Sequence, residues 1–535
     1  MNKVAKYLNQ HIIGSVYSNE SVTEAYSTDK SIMRIKPQAV AIPESTGDIR
    51  KLVRFAYQMT EKGVKTSVTP RGNGNDKTGA AIGDGVVVVV GQEMSGILEV
   101  DVRQRLVRVQ PGLTIGNLNN ALSLYGLKVP VEPFYKEHTI GGMIANNFAG
   151  ELSAHFGKIG DYVKQLEVVL STGDVIQTGR LSKRELNRKK GIQNIEGEIY
   201  RRLDSMLVDK GSLLTDLITE GDIDNSGYES IILVKEKDGS FDLMPLFFAS
   251  QGTLGIISEV ILQAEYVDDE IDYVLAEFES YDKARDAIDF VMTLDPVVLD
   301  LYDSELLALA EKYGKMIPTV DDKKEEKSKV VVLAGFNDRK KSKSKLKKIS
   351  KIWTKNETRF VLSNESNYEN FSKIKDIVEL YMNDEKNGVR VPVMDNAYVP
   401  LNFVGEYVSQ VKALAKKHMT EMPLYGSALS GVYNVRPGFD LSSLSDRQKV
   451  FKLLVDYAEI INSVEGSITG NAAEGRVKSI ISKKSTNEQL LDIYAEIKDV
   501  FDPKDILNPG VKSEVSLKEM ITNLRKDYDE GIIKE

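Results

Sequence analysis

The chain has 535 residues, of which 41% are hydrophobic and 28% charged, and its formal net charge is −9. This length predicts two domains, and the acidic balance argues against nucleic acid as the main partner, because a phosphate backbone requires a basic surface. The absence of cysteine excludes disulfides, iron–sulfur clusters and zinc–thiolate sites carried by this chain.

The first half of the chain predicts alternating strands and helices after a polar, helical and irregular lead-in. Apolar residues at helical spacing predict helices at residues 48–62 and 114–125. Strands are predicted at residues 85–91, 105–109 and 166–171, and the last of these forms a hairpin with residues 175–178. Residues 181–245 predict a more helical insert.

The pattern changes near residue 265. Strands are predicted at residues 273–278, 297–301 and 330–336, with helices at 282–293 and 338–354. Strands that alternate with single helices predict an α+β domain built on one sheet. The chain is then expected to return to the first domain with a last strand and helix within residues 465–511, followed by a helical tail over residues 516–535.

Three glycine-rich segments adjoin predicted strands. Glycines in a short turn let backbone N–H groups point into a concavity, which binds phosphate oxygens without a lysine. Three such segments in this order predict a large phosphate-bearing cofactor that is held along much of its length. They have the sequences PRGNGN at residues 70–75, TIGGMIANN at residues 139–147 and ASQGTLGII at residues 249–257.

At these segments the chain resembles the flavoproteins of the vanillyl-alcohol oxidase and p-cresol methylhydroxylase (PCMH) type. The most similar branch is the D-lactate dehydrogenase and glycolate-oxidase-subunit group. The resemblance runs from Lys36 to Val511, and it includes KPQAVAIP at residues 36–43, VQPGLT at 109–114 and FDPKDILNPG at 501–510.

The resemblance implies an α+β fold with a two-subdomain PCMH-type FAD-binding domain and a cap domain that contains an antiparallel sheet. The expected divisions are a lead-in at 1–35, the FAD domain at 36–265, the substrate or cap domain at 266–464, a return to the FAD domain at 465–512 and a tail at 513–535.

The resemblance also implies FAD as the cofactor. Some relatives attach it through a histidine at the first glycine segment, but residues 70–80 contain no histidine, so we expect noncovalent FAD. The loop at residues 225–228 resembles one that lies near the cofactor. The expected FAD contacts are Pro70, Arg71, Gly72, Asn73, Gly74, Asn75, Thr139, Gly141, Gly142, Asn146, Gly150, Gly157, Asp161, Gly252, Gly255, Ile256, Ile257 and Asn508.

Oxidation of a 2-hydroxy acid requires a hydride that faces the flavin, a cation for the carboxylate and a base for the hydroxyl proton. Relatives often add a divalent metal held by histidines and a glutamate. The matching positions here carry Ser427, Asn434, Asn471 and Ala472, so no metal site is predicted.

Four residues are candidates for the remaining catalytic roles. Arg390 and Arg436 are candidates for carboxylate binding, although an arginine beside a strand is more often a surface residue. Arg476 is a candidate for neutralising the flavin or the substrate anion. His138 precedes the second glycine segment and is a candidate to face the flavin, although a satisfied loop histidine is the simpler interpretation.

Three functions stay open at this point. The first is an FAD-dependent oxidoreductase that acts on a small D-2-hydroxy acid such as D-lactate or glycolate and passes electrons to a quinone, a carrier protein or oxygen. The second is a catalytically altered FAD-binding subunit, and the third is a metal-independent oxidase of another alcohol. A homo-oligomer is also possible.

The sequence predicts a cytoplasmic protein, because the first residues lack the apolar run of a signal peptide and the apolar runs are of strand length. A basic amphipathic segment at residues 339–351 has two interpretations. It is either a solvated outer face of a helix or a surface that binds weakly to the inner face of an anionic membrane.

Overall fold

The chain forms two compact units. A computed structural model describes residues 3–133, 135–150, 152–218, 224–267, 270–313, 329–338, 341–383, 388–513 and 516–528. Unit 1 comprises Met1–Gly150, Gly157–Tyr266 and Asn471–Arg525, and unit 2 comprises Glu151–Phe156, Val267–Gly470 and Lys526–Glu535. Each unit is therefore assembled from separate stretches of the chain.

The strands divide between the units in chain order, with β1–β9 in unit 1 and β10–β18 in unit 2. They are β1 (Ser15–Tyr17), β2 (Ala39–Ile42), β3 (Val68–Arg71), β4 (Val86–Val89), β5 (Ile97–Asp101), β6 (Leu106–Val109), β7 (Val163–Val169), β8 (Val175–Gln177), β9 (Ile256–Gln263), β10 (Asp272–Phe278), β11 (Val298–Asp303), β12 (Val330–Phe336), β13 (Arg359–Leu362), β14 (Val389–Arg390), β15 (Ala397–Tyr398), β16 (Leu424–Ser427), β17 (Val432–Val435) and β18 (Gly438–Phe439).

The helices are interspersed among these strands. They are α1 (Lys3–Asn9), α2 (Glu20–Ala25), α3 (Thr46–Glu61), α4 (Ile115–Leu122), α5 (Ile140–Asn146), α6 (Ser153–Phe156), α7 (Ile159–Tyr162), α8 (Lys183–Lys190), α9 (Ile195–Leu217), α10 (Tyr281–Met292), α11 (Ser304–Lys312), α12 (Ser342–Lys355), α13 (Tyr368–Ser372), α14 (Asp376–Asn383), α15 (Val404–His418), α16 (Leu444–Ser463), α17 (Ser479–Ser485), α18 (Glu488–Phe501) and α19 (Leu517–Thr522).

Unit 1 contains two sheets. One has the order β1-β2-β4-β3, in which β2 and β3 both run parallel to β4. Every residue of β4 is buried, as expected for a parallel strand that is covered on both faces. The other sheet is antiparallel and has the order β5-β6-β9-β7-β8.

Helix α3 shows how the sequence builds the first sheet of unit 1. The side chain of Ser45 caps the helix by accepting a hydrogen bond from the Asp48 backbone N–H. The apolar residues Ile49, Leu52, Val53 and Ala56 recur at helical spacing and are buried in the same core as β2 and β4. This packing fixes β3, the strand that leads into the first glycine segment.

Unit 2 is built around an antiparallel sheet with the order β13-β10-β12-β11-β16-β17-β15. Buried residues of β10, β11 and β12 share one hydrophobic core with Phe371, Ile374, Ile377 and Tyr381. A short separate pair, β14 with β18, places Arg390 opposite Gly438.

Most predicted elements are present, and the α+β architecture with an antiparallel sheet is confirmed. The predicted last strand within residues 465–511 is wrong. This segment forms α17 and α18, and its strand-like contacts are two single bridges, Tyr398 with Ser467 and Val68 with Leu507. Glycine-rich turns occupy the rest of residues 465–511, so neither bridge extends into a strand.

Both ends of the chain also differ from expectation. The lead-in contributes β1, which pairs antiparallel with β2. The helix predicted to begin at residue 338 begins at Ser342, and the predicted helical tail is α19, with residues 529–535 outside the described part. Arg339 and Lys340 of the basic segment also lie outside it.

Candidate active site

The first glycine segment forms an open loop at the end of β3, and we call residues 72–75 the nest. Gly74 has φ +76°, a backbone conformation that favours glycine. The side chains of Asn73 and Asn75 donate to the Glu137 carbonyl at 2.9 and 3.4 Å. Within the described part of the chain, none of the four backbone N–H groups of the nest donates a hydrogen bond. These donors are available to an anion.

Arg71 lies directly behind the nest. Its Nη1 donates to the carbonyls of Thr28 at 2.7 Å and Ala81 at 3.3 Å, and its guanidinium lies 5.3 Å from the centroid of the Tyr26 ring. Burial lowers the pKa of Arg71. A Cβ at position 74 would overlap the Arg71 guanidinium, so any other residue there would displace this guanidinium and would also adopt an unfavourable backbone angle.

The second glycine segment packs onto the nest. Thr139 caps α5 by accepting a hydrogen bond from the Gly142 N–H at 3.3 Å, and the Gly141 N–H donates to the Pro111 carbonyl at 2.8 Å. A Cβ on Gly72 would collide with the Thr139 hydroxyl. The first two segments are therefore in direct contact at Gly72 and the Thr139 side chain.

The third segment reaches the first through Gly252 and Gln251. Gly252 has φ +73°, and a Cβ there would overlap the Pro70 ring. Gln251 has φ +50°, and its Nε2 donates to Thr78 Oγ1 at 3.1 Å and to Asn146 Oδ1 at 2.9 Å. The sequence did not single out Gln251, because a glutamine in a left-handed conformation carries no sequence signal.

Asn508 connects the last stretch of unit 1, Asn471–Arg525, to these segments. It is fully buried, and its Nδ2 donates to the carbonyls of Ala80 and Gln251, each at 2.8 Å. Its Oδ1 accepts from Thr69 Oγ1 at 3.2 Å and from Arg476 Nη2 at 3.2 Å. The structure thus brings together all three glycine segments and the residue predicted from the C-terminal signature.

The other predicted cofactor residues have visible structural roles. Asp161 accepts a hydrogen bond from the Lys158 N–H at 2.7 Å at the start of α7, and Gly157 has φ +82° beside it. A Cβ on Gly150 would meet the backbone of Glu132, and one on Gly255 would meet Val168. Ile256 is buried in the core that contains β2 and β4, and Ile257 packs, partly buried, against a separate core of unit 1 that contains Leu166 and Val260. Contact with the cofactor stays a prediction for these residues.

His138 lies beside the second segment in a defined tautomer. Its Nδ1 is 2.7 Å from the Tyr135 carbonyl, which can only accept, so Nδ1 carries the proton and Nε2 carries the lone pair. Burial lowers the pKa of His138, and Lys77 and Lys30 lower it further. Nε2 makes no hydrogen bond within the described part of the chain. The imidazole is therefore a neutral acceptor at pH 7.

Arg476 is engaged with the protein itself. Its guanidinium donates to the carbonyls of Pro509 at 2.5 Å and Ile82 at 2.9 Å, in addition to Asn508. Burial lowers its pKa to about 10. The structure gives this residue a role in joining the returning chain to the loop that follows the nest, and its predicted neutralising role stays a prediction.

The two candidate arginines of unit 2 differ sharply. Arg436 is fully buried, and Asp395 neutralises it through Oδ1 at 3.0 Å from Nε and Oδ2 at 2.5 Å from Nη2. Arg390 is 2% exposed and lies 4.4 Å from the centroid of the Tyr381 ring, with Nη2 3.7 Å from Glu421 Oε2. The Nε and Nη1 atoms of Arg390 are buried with no partner in the described part of the chain.

The positions that carry metal ligands in relatives have other roles here. Asn434 Oδ1 accepts the Asn396 N–H at 2.9 Å, and Asn471 Oδ1 accepts the Ala149 N–H at 2.7 Å. Ser427 lies in β16 opposite Val432. Among the described residues, no group of three or more histidine, cysteine, aspartate or glutamate side chains could hold a metal ion.

Family comparisons agree with this geometry. The FAD binding domain model matches residues 37–179, and the model described as FAD linked oxidases, C-terminal domain, matches residues 268–511. The chain belongs to the FAD-linked oxidase family. The cofactor of this FAD-linked oxidase is FAD. The predicted resemblance is thereby confirmed.

Relatives of this FAD-linked oxidase include named dehydrogenases. The D-2-hydroxyglutarate dehydrogenase of Haemophilus influenzae is 25% identical over 98% of the chain and 53% of its own length. The glycolate oxidase subunit GlcD of Bacillus subtilis is 25% identical over 89% of the chain and 88% of its own length. The D-lactate dehydrogenase of Archaeoglobus fulgidus is 23% identical over 91% and 95%. The chain spans about half the length of the D-2-hydroxyglutarate dehydrogenases that it matches.

Solved structures share the fold. p-Cresol methylhydroxylase with bound substrate aligns with a TM-score of 0.66 at 12% identity over 96% of both chains. The 4-ethylphenol oxidase from Gulosibacter chungangensis aligns with a TM-score of 0.65 at 14% identity over 96% of this chain and 97% of that one. In the described part of this oxidase, no helix is long and apolar enough to cross a membrane.

The residues around the nest fit the cofactor of the family. FAD carries a pyrophosphate, and the four backbone N–H groups of the nest, which donate no hydrogen bond among the described residues, would supply donors for it. A Cβ at position 72, 74 or 252 would meet Thr139 Oγ1, the Arg71 guanidinium or the Pro70 ring, so glycine at these positions lets the segments pack closely around the nest. The nest, α5 and Gln251 would therefore hold FAD if the predicted contacts form.

Proposed function

We propose that this FAD-linked oxidase removes a hydride from C2 of a small D-2-hydroxy acid such as D-lactate or glycolate. Family membership supports the redox chemistry, and relatives named for D-2-hydroxyglutarate, D-lactate and glycolate support the substrate class. The observation that supports a carboxylate in the substrate is Arg390, a buried cation whose Nε and Nη1 have no partner in the described part of the chain.

Arg390 suits the substrate carboxylate because a buried donor without a partner costs free energy that an anionic acceptor recovers. A guanidinium offers two parallel N–H groups to a carboxylate, which fixes orientation as well as charge. Arg436 is already saturated by Asp395 and is the weaker candidate.

His138 suits proton removal. Bound FAD would supply the acceptor for the hydride, and the protein must take the hydroxyl proton. His138 is neutral, has a fixed tautomer and presents an unbonded Nε2, which are the requirements for a general base near pH 7. Because Ser427, Asn434, Asn471 and Ala472 replace the histidines and glutamate of relatives, the proposed reaction uses no metal at those positions.

An anaerobic titration tests this function. The purified holoprotein is titrated with D-lactate, glycolate and D-2-hydroxyglutarate while the visible flavin band is recorded, with L-lactate as the stereochemical control. Bleaching by one D-acid and not by L-lactate supports the proposal. An unbleached band with all three acids contradicts it. Release of the flavin by denaturation checks the proposed noncovalent attachment.

His138→Gln tests the base separately. Glutamine keeps a polar side chain but cannot accept the proton at neutral pH. We expect slower bleaching by the active acid with little change in the acid concentration that gives half-maximal rate. An unchanged rate would remove His138 from the reaction.

A second candidate is a catalytically altered FAD-binding subunit. Asn434 and Asn471 favour it, because both amides are committed to backbone N–H groups and neither is a base. The relatives named D-2-hydroxyglutarate dehydrogenase are about twice as long, which leaves room for further functions outside this chain. A flavin band that no hydroxy acid bleaches would favour this candidate. Oxidation of a neutral alcohol, unaffected by loss of Arg390, would favour the third function.

Peripheral contact with an anionic membrane is a further part of the proposal. Leu346, Ile349 and Trp353 of α12 are buried, so the opposite face of α12 is presented outward. It exposes Lys343, Lys347, Lys348, Lys351 and Lys355, none of which forms an ion pair among the described residues. Such a face suits a membrane whose quinone could accept the electrons.

A further inference from the structure

Three consecutive residues of the lead-in form hydrogen bonds with the nest and with the residues that flank it. The Thr28 carbonyl accepts Arg71 Nη1 at 2.7 Å, Asp29 Oδ2 accepts the Ala81 N–H at 3.3 Å, and the Lys30 N–H donates to the Gly74 carbonyl at 3.1 Å. All three precede residue 37, where the FAD binding domain match begins. These supports therefore lie outside the part of the chain that the family model describes.

Asp29 is the unusual member of this set. It is 7% exposed, and its Oδ1 accepts both the N–H of Ser31 at 3.0 Å and the hydroxyl of Ser31 at 2.5 Å. Arg525, in the stretch after α19, donates to the Asp29 carbonyl at 3.3 Å. A buried carboxyl is thus fixed immediately behind loops that would hold a pyrophosphate, where a negative charge opposes an anionic ligand.

The charged groups around Asp29 come from several elements. Arg71 and Asp76 approach it from the loop that contains the nest, Arg476 from the returning chain, and Arg525 from the C-terminal side. Arg71 forms no hydrogen bond with Asp29, since its Nη1 is directed to the carbonyls of Thr28 and Ala81. The net charge behind the nest therefore depends on whether Asp29 is ionised.

We propose that Asp29 is a positioning residue of the FAD site, which orients the nest loop and makes FAD affinity depend on pH. The proposal rests on the assignment of the FAD pyrophosphate to the nest. It assigns a role in cofactor retention to a residue outside the family match, and it does not depend on which substrate the enzyme oxidises.

The direction of the pH effect follows from the environment of Asp29. Burial, and next the charge of Asp76, raise the pKa of Asp29 from 3.8 to about 7, although the bonds from Ser31 lower it. Below that pH the carboxyl is neutral, and the charge of Arg71 is available to the pyrophosphate. Above it the carboxylate offsets Arg71 and repels the pyrophosphate, so FAD affinity falls as the pH rises through about 7.

The test is FAD binding to the full-length apoprotein, measured by flavin fluorescence between pH 5.5 and 8.5. For the parent we expect the Kd to rise by about fivefold to tenfold across this range, within the limit of tenfold per pH unit for one linked proton. Asp29→Asn keeps the size of the side chain and removes its charge, so its Kd is expected to be nearly constant with pH. Asp216→Asn removes an exposed charge on α9 and should behave like the parent.

A parent-like pH dependence in folded Asp29→Asn overturns the proposal. If that variant does not fold, Ser31→Ala decides: it removes a hydroxyl bond that stabilises the carboxylate, so the inflection of the Kd profile should move to higher pH. An unmoved inflection also overturns the proposal. Gly72→Ala checks the underlying assignment, because parent-like FAD binding in that variant would refute the pyrophosphate site itself.

Discussion

The candidate binding groups of the two units are of different kinds, backbone N–H groups in unit 1 and a side chain in unit 2. In unit 1 the two Nη atoms of Arg476 donate to carbonyls and Asn508, and its Nε is buried without a partner among the described residues. The nest adds backbone N–H groups that donate no hydrogen bond in the described part of the chain. In the described part of unit 2, Nε and Nη1 of Arg390 are buried without a partner, as are Trp353 Nε1 and the Tyr433 hydroxyl, so the unsatisfied donors there are side-chain atoms.

This difference explains why one site is easier to recognise than the other. A backbone site depends on glycines at fixed spacing, and replacing one of them blocks it. A side-chain site depends on the identity of single residues on a sheet that folds equally well with others. Substitution at positions 427 and 434, which lie in strands of unit 2, can therefore change the chemistry of that unit without changing its fold. Positions 471 and 472 lie in unit 1.

The largest expected effect is loss of the buried ion pair of unit 2. Arg436→Met leaves Asp395 buried without its cation, and we expect the free energy of unfolding to fall by about 3–5 kcal/mol. Denaturant unfolding measures this change. Adding Asp395→Leu to the same protein should restore most of the loss. If Arg390→Met destabilises the protein as much as Arg436→Met, the contrast between the two arginines is wrong.

The contact between the first and third glycine segments comes next. Gly252→Ala combines a positive φ with overlap of the Pro70 ring, and we expect a loss of about 2–4 kcal/mol together with loss of bound FAD. Gly63→Ala is the matched control, because Gly63 has φ +81° but nothing within 4 Å of the added Cβ. Thermal unfolding and the ratio of flavin to protein absorbance distinguish them. Equal losses would show that backbone angle alone is responsible.

Loss of the Arg390 guanidinium should affect substrate binding more than the stability of the protein. Arg390→Met removes about 1.5–3 kcal/mol of charge-assisted binding, which corresponds to a rise of about tenfold to a hundredfold in the KM for a hydroxy acid. FAD content should be unchanged. Steady-state kinetics with the active acid measure the effect. A parent-like KM would move the carboxylate site elsewhere.

The smallest effect concerns the outer face of α12. Lys351→Gln should weaken binding to vesicles that contain anionic phospholipid by about fivefold, the change expected from about 1 kcal/mol per lysine. Lys62→Gln, at an exposed site in unit 1, is the control. Cosedimentation at low and high salt measures both. No binding by the parent to anionic vesicles would refute the membrane contact.

Sequence patterns predicted the helices and strands that form because of residues within the same short segment. The strand at residues 330–336 has the predicted bounds because it is a continuous apolar run, and α3 follows from a cap and helical spacing. Strand β1 was missed because three residues carry too little pattern, and it exists only through pairing with β2.

The candidate site could be predicted only in part, because only some of its residues belong to local sequence motifs. The glycine segments and Asn508 were identified from motifs, and the structure brings them together. Gln251, Asp29 and the difference between Arg390 and Arg436 were not identified, because each depends on partners far away in the chain. Asp395 lies 41 residues before Arg436, and Ala81 lies 52 residues after Asp29.

The discontinuity of unit 1 has a consequence for the order in which the protein matures. Asn508 bonds to Ala80 across 428 residues and Arg476 bonds to Ile82 across 394, so the loop after the nest stays incomplete until residues 471–525 have been synthesised. Nearly all of unit 2 precedes that stretch in the chain and emerges from the ribosome earlier. Any capture of FAD at the nest therefore follows the synthesis of residues 471–525.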